Sequence, residues 1–140
     1  MRIMSVDYGD VRTGLAICDR DEILASPLAV IEERNFKACA AKISERAVDE
    51  RAERIVVGYP RNMDNTSGER TEKCEQLAAL IEKLSSIPAV LYDERSTTVL
   101  AHNYLNATNV RGKKRKAVVD AVAAVIILEN YLSFRKNKAE

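Results

Sequence analysis

The sequence predicts a mixed α/β fold in a single domain, residues 1–140, with a five-stranded sheet flanked by helices. Short apolar runs separated by glycine-containing or acidic turns open the chain, which is typical of an antiparallel meander. Helical patterns then alternate with further apolar runs, as in β-α-β units that add parallel strands. A chain of 140 residues with 46% hydrophobic residues is also large enough for one core.

Three antiparallel strands are predicted at the start of the chain, over residues 2–7, 15–18 and 23–31. Residues 9–14 are predicted as a turn with glycine at both ends, and residues 19–22 as a polar turn. Pro27 cannot donate to a hydrogen-bond ladder, so the third strand is expected at an edge of the sheet.

A helix and a buried strand are predicted next. Asn35 can cap a helix that runs to about residue 51. Its apolar positions recur at helical spacing and are expected to face the sheet. These positions are Phe36, Ala40, Ile43, Ala47 and Val48. The apolar run over residues 54–58 is typical of a strand that is buried on both faces.

The second half of the chain predicts one more strand and three helices. Thr66 and Glu69 fit a capping box for a helix that ends before Pro88. Its buried side chains are expected to be Leu77, Leu80, Ile81 and Leu84. The fifth strand is predicted over residues 89–92. The two remaining helices are predicted over residues 96–106 and 113–132.

Composition narrows the functional classes. The formal net charge of +1 gives no overall indication of nucleic acid. No apolar run approaches the roughly 18 residues of a membrane span. With no signal-peptide pattern either, we expect a cytoplasmic protein without membrane contacts. Three widely spaced cysteines and one histidine argue against a zinc site or a disulfide framework and predict packed thiols.

Carboxylates in unusual settings are the strongest functional signal. Asp7 ends an otherwise apolar strand, and Asp120 is the only charged residue in the stretch 117–128. Asp93 and Glu94 follow the fifth strand, where neighbouring side chains point in different directions. A buried carboxylate needs a cationic partner, which could be a basic side chain or a metal ion. Three converging acids favour two hard divalent cations, Mg²⁺ or Mn²⁺, and therefore phosphate chemistry.

Within the acidic pair, Glu94 is favoured as the catalytic and metal-binding residue because its longer side chain suits a position past the strand. Asp93 is the alternative. Basic and polar residues in the surrounding segments are candidates for contacts with substrate phosphates. They are Arg12, Arg61, Asn62, Arg95, Thr97, Lys113 and Lys116. Arg12 could instead pair with Asp10, and Arg95 with Asp93 or Glu94, whereas Arg61 and Asn62 could belong to a solvated loop.

Four motifs in sequence order resemble the YqgF/RuvX family. They are residues 7–16 (DYGDVRTGLA), 57–64 (VGYPRNMD), 93–98 (DERSTT) and Lys116 with 120–124 (DAVAA). The resemblance implies an RNase H-like fold related to Holliday junction resolvases. It also implies a nuclease that matures the 5′ end of the small-subunit ribosomal RNA precursor, with an acidic trio at Asp7, the 93–94 pair and Asp120. Asn65 stands where the family commonly has glycine, and asparagine also tolerates a left-handed turn.

Other functions are compatible with parts of the pattern. The Asp-x-Gly turn also occurs in actin-like and sugar-kinase-like ATPases, which need two such domains, and the chain has no Gly-x-x-x-x-Gly-Lys-Ser/Thr loop. A non-catalytic nucleic-acid-binding module would gain nothing from three acids facing phosphates. A Holliday junction resolvase acting on four-way DNA would need paired active sites in a dimer. We expect a monomer or a weak homodimer that acts on structured or precursor RNA, or on branched DNA.

Overall fold

The computed structural model describes residues 1–59, 69–93 and 112–138, and side chains over 1–59, 71–92 and 121–137. The strands in these ranges are β1 (Ile3–Asp7), β2 (Arg12–Cys18), β3 (Ala25–Glu32), β4 (Arg54–Tyr59) and β5 (Ala89–Asp93). The helices in these ranges are α1 (Phe36–Asp49), α2 (Glu69–Ser85) and α3 (Gly112–Lys138). None of the described helices is long and apolar enough to cross a membrane.

The described strands form one sheet in the order β3-β2-β1-β4-β5. β1 pairs antiparallel with β2, and β2 with β3, whereas β4 and β5 are parallel to β1. The mixed sheet predicted from the sequence is therefore confirmed. β1 takes the central position because its side chains from Ile3 to Val6 are buried on both faces.

The edge position predicted for the third strand is also confirmed. Pro27 lies in β3, which has a neighbour on one side only within the described sheet, and it is exposed. It pairs with Ala16 at an irregularity in the register. Leu15 pairs with Ala29 and Ala16 pairs with Pro27, so one residue of β3 between them is left without a partner in β2. A bulge of this kind accommodates the missing donor at the edge of the sheet.

Two apolar cores cover the faces of the sheet. α1 and α2 pack on one face, where Ile43, Leu77 and Ile81 are fully buried. α3 packs on the other face, where Ile127 and Leu128 are fully buried. The Asn35 cap is confirmed, since its side chain accepts a hydrogen bond from the Ala38 backbone N–H at 2.9 Å. Cys18, Cys39 and Cys74 are buried and are not joined in disulfides, as predicted.

Several local predictions are wrong. Val48 and Leu84 are 53% and 51% exposed rather than facing the sheet, because each lies at the end of its helix. Gly14 is not part of a turn: β2 already begins at Arg12, and Gly14 pairs with Asp7.

The final helix also continues to Lys138 rather than ending near residue 132. Tertiary contacts support these extra turns. The ring centroid of Phe134 lies 6.0 Å from that of Tyr92, and Arg135 pairs with Glu22.

Candidate active site

Asp7 ends the central strand at the edge of the sheet where parallel strands finish. β1, β4 and β5 run parallel, so their carboxyl ends meet at this edge, which is where sites gather in such sheets. On one side, Asp7 pairs with Gly14 of β2. On the other side, extending the register between β1 and β4 by one residue places Gly58 next to Asp7. The partly buried Asp7 is thus flanked by residues without side chains in both neighbouring strands.

Asp7 belongs to the row of β1 residues that faces α3. Side chains alternate between the two faces of a strand. Ile3 packs in the core beneath α3, and the Ser5 hydroxyl donates a hydrogen bond to the Ala124 carbonyl at 2.6 Å. Asp7 follows Ser5 by two residues, which places it on the same face about 6.6 Å further along the strand.

The direction of α3 brings residue 120 to the same end of β1. At the start of β4, Arg54 donates to the Tyr131 hydroxyl at 3.1 Å. The later turns of α3 therefore lie towards the end of the sheet where β4 begins, opposite the end that holds Asp7. Residue 120 precedes Ala124 by one turn, or about 6 Å along the helix axis. This displacement nearly matches the step from Ser5 to Asp7, so we expect the backbone at residue 120 to lie near Asp7.

A tight hairpin follows Asp7. The Thr13 hydroxyl oxygen, which is fully buried, accepts a hydrogen bond from the Gly9 backbone N–H at 3.3 Å. A Cβ atom at Gly9 would lie 2.1 Å from the carbonyl oxygen of Arg12, so only glycine fits this close approach. Tyr8 is buried, and its ring meets Phe36 edge-on with centroids 6.0 Å apart. These contacts fix the backbone directly after Asp7.

Two cations lie on or beside this hairpin. An Arg12 guanidinium nitrogen lies 3.6 Å from a carboxylate oxygen of Glu32, whose side chain is 73% exposed. The Lys73 ammonium of α2 lies 3.7 Å from Asp10, whose side chain is also largely exposed. Ion pairs of this kind are weak, so a phosphate group can compete for either cation.

Comparison with known proteins identifies the family. A family model described as "RuvX: Holliday junction resolvase" matches residues 1–134. This chain belongs to the RuvX family. A relative from Lachnospira eligens is 39% identical over 139 residues, covering 97% of this chain and 99% of the relative. One from Heliobacterium modesticaldum is 40% identical over 139 residues, covering 99% and 93%. Both carry the name "Putative pre-16S rRNA nuclease".

Solved structures share the fold of this RuvX-family chain. RuvC of T. thermophilus in complex with a Holliday junction substrate superposes with a TM-score of 0.62 at 14% identity, over 98% of this chain and 96% of that one. The fowlpox virus resolvase, also bound to Holliday junction DNA, gives 0.59 at 10% identity, over 96% and 99%. The RNase H-like, resolvase-type architecture implied by the sequence motifs is therefore confirmed.

Much of the site predicted for this RuvX-family chain lies outside the described residues. This applies to Arg61, Asn62, Glu94, Arg95 and Thr97. Residues 113, 116 and 120 belong to α3, and Asp93 ends β5, but their side chains are not among those described. Among the described side chains, no group of three His, Cys, Asp or Glu residues could hold a metal ion, and that set does not contain Glu94 or Asp120.

Sequence reasoning missed the contribution of Ser5. The residue lies between Ile3 and Asp7 in the alternation of β1, where a polar side chain needs a hydrogen-bond partner once it is buried. That alternation was the available signal, but it does not identify a partner 119 residues away.

Proposed function

We propose that this chain is a metal-dependent nuclease that hydrolyses phosphodiester bonds and that Asp7, Glu94 and Asp120 hold its divalent cations. The observation that supports the proposal is the Ser5–Ala124 hydrogen bond of 2.6 Å, because it sets α3 against β1 one helical turn after residue 120 and two residues before Asp7. The donors are carboxylates, which are the ligands that Mg²⁺ and Mn²⁺ prefer.

The alternation in β5 is our reason for preferring Glu94 over Asp93. Val90 and Tyr92 pack on the α3 side of the sheet, which is also the side of Ile3 and Ser5. Glu94 continues this even-numbered series in the sequence, and Asp93 does not.

The residues divide the chemistry between them. When bound, a pair of Mg²⁺ or Mn²⁺ ions would supply a reactive water near neutral pH and offset the charge on the leaving oxygen. Asp7, at the end of the most buried strand, would be the shared ligand, with Glu94 and Asp120 on either side. Substrate phosphates would contact cationic and polar residues around this centre. These are Arg12, Arg61, Asn62, Arg95, Thr97, Lys113 and Lys116.

The substrate we favour is the precursor of the small-subunit ribosomal RNA, cleaved near its 5′ end in the cytoplasm. The support is the name shared by relatives that are 39–40% identical over nearly the whole chain. A second candidate is the resolution of four-way DNA junctions, which the family description and the junction-bound neighbours favour. We rank it lower because similarity at 10–14% identity supports the fold and not the substrate.

One assay tests both substrates. The purified protein is incubated with labelled precursor RNA or with a four-way DNA junction, in Mg²⁺, Mn²⁺ or chelator. We expect metal-dependent cleavage of the RNA that is lost in Asp7→Asn, Glu94→Gln and Asp120→Asn. Glu72→Gln, a change at an exposed residue of α2, is the matched control and should cleave normally.

Each outcome of the assay has a distinct meaning. Cleavage of the junction alone would replace RNA processing by junction resolution. Binding without cleavage, undiminished in the three acid variants, would contradict a catalytic role and indicate a binding module. Cleavage that persists in chelator would contradict the metal dependence.

A further inference from the structure

Ser5 has no part in the chemistry above, although it is a fully buried polar side chain next to the proposed site. We propose that Ser5 is a positioning residue that fixes α3 along β1, so that Asp7 and Asp120 can share a divalent cation. This inference rests on the proposed function. Its basis is the hydrogen bond from the Ser5 hydroxyl to the Ala124 carbonyl, which joins the first strand to the last helix.

Apolar packing accompanies this hydrogen bond between β1 and α3. Ile3, Ala124, Ile127 and Leu128 belong to one buried cluster. Apolar contacts have no preferred direction, so they hold two surfaces together without strongly fixing their register. A hydrogen bond weakens steeply with misalignment, and at 2.6 Å the Ser5 bond is short even for a hydroxyl donor. It is therefore suited to fixing the helix at one position along the strand.

The register matters because aspartate side chains are short and Mg²⁺ is bound at about 2.0–2.1 Å in strict geometry. A misplacement of about 1 Å can lower the activity of an enzyme about 100-fold, so a shift of α3 along β1 would weaken a cation site shared by Asp7 and residue 120. Ser5 lies only two residues from Asp7, and Ala124 only four from Asp120. The bond thus acts close to both ligands without touching the cation.

The chain offers a matched control on the other face of the sheet. Ser44 of α1 is 4% exposed, and its hydroxyl donates to the Ala40 carbonyl at 2.8 Å. Ser44→Ala therefore removes a comparable buried hydrogen bond without altering the contact between α3 and β1. Ser5→Ala removes the bond and keeps a small side chain. Ser5→Val also adds bulk beneath α3, and Ser5→Ala keeps the test informative if Ser5→Val does not fold.

The first measurement is Mn²⁺ affinity, determined by electron paramagnetic resonance of the unbound ion, with urea unfolding of every variant alongside. We expect Ser5→Ala to raise the dissociation constant about tenfold, as loss of a residue that orients a ligand does elsewhere, and Ser5→Val to raise it further. Ser44→Ala should leave the dissociation constant unchanged, because Ser44 bonds within α1 on the other face of the sheet. Equal effects of Ser5→Ala and Ser44→Ala would overturn the proposal.

The second measurement does not depend on metal. Spin labels on cysteines introduced at Glu45 and Asn130, both exposed, report the distance between α1 and α3, and the three native cysteines are buried. We expect Ser5→Val to shift or broaden this distance and Ser44→Ala to leave it unchanged. An unchanged distance in both Ser5 variants would contradict the role of Ser5. The proposed function would instead be contradicted if the protein without substitutions at Ser5 binds no Mn²⁺, or if it binds Mn²⁺ equally well with and without Asp7.

Discussion

The far end of α3 is held by an ion pair whose strength can be measured. The Arg135 guanidinium donates to the Glu22 carboxylate through Nε at 2.8 Å and through a second nitrogen at 3.3 Å. Glu22 belongs to the turn between β2 and β3, and the N-terminal amine lies 3.4 Å from the same carboxylate. We predict that Glu22→Gln and Arg135→Gln each lower the free energy of unfolding at pH 7.

The size of the effect follows from geometry and exposure. A fully exposed pair contributes between about 0 and 1 kcal/mol, whereas hydrogen bonds to charged groups contribute about 1.5–3 kcal/mol. Here the two side chains are 24% and 28% exposed, and the contact has two hydrogen bonds. We therefore expect a coupling free energy of about 1.5 kcal/mol between Glu22 and Arg135.

A double-mutant cycle isolates this coupling, because the contact of Glu22 with the N-terminal amine is lost equally in Glu22→Gln and in the double variant. Urea unfolding of the four proteins at pH 7 gives the value. The hydrogen bond from Arg135 is the main cause that lowers the pKa of Glu22. The stabilisation should be complete above the ordinary glutamate pKa and lost as the pH falls through the lower folded-state value.

The refuting results are equally specific. A coupling below about 0.3 kcal/mol at pH 7 lies within the additivity expected of independent sites and would show that this pair does not anchor α3. A coupling that stays constant from pH 7 to strongly acidic conditions would show that the Glu22 carboxylate is not its source.

Substitutions at three further positions test local features by urea unfolding. Gly9→Ala should destabilise by about 2 kcal/mol or more, because the new Cβ would lie 2.1 Å from the Arg12 carbonyl oxygen; a neutral effect would contradict the close approach. Asn35→Ala should cost about 1 kcal/mol through loss of the α1 cap, and Asn35→Asp should retain most of the stability. Ile127→Ala should cost about 2–5 kcal/mol because this side chain of α3 is fully buried against the sheet; less than about 1 kcal/mol would indicate a loosely packed core.

Local signals in the sequence predicted much of the fold. Residues 55–58 of the predicted run are buried on both faces, Asn35 caps α1, and Pro27 lies in an edge strand. Each of these features follows from the chemistry of a few adjacent residues. The position of Asp7 at the end of the central strand was predictable for the same reason, since an acid after an apolar run marks the end of a buried strand.

Features that depend on distant partners were not predictable. Glycine is typical of turns, but Gly14 lies in β2 because it pairs with Asp7. No glycine or proline marks the end of α3, and its last turns are held by tertiary contacts: Phe134 packs on Tyr92, and Arg135 pairs with Glu22. Such contacts join segments that local propensity does not relate.

The polar contacts of α3 are best understood together with its composition. Between residues 117 and 128 the helix is apolar except for Asp120, so burial drives it onto the sheet but does not determine how far along the sheet it lies. Directional contacts supply that information: the Ser5–Ala124 hydrogen bond near the proposed site, the Arg54–Tyr131 hydrogen bond at the start of β4, and the Glu22–Arg135 pair at the far end. The proposed site, divided between the first strand and the last helix, would need such contacts, because its proposed ligands are separated by most of the chain and have no local structure to align them.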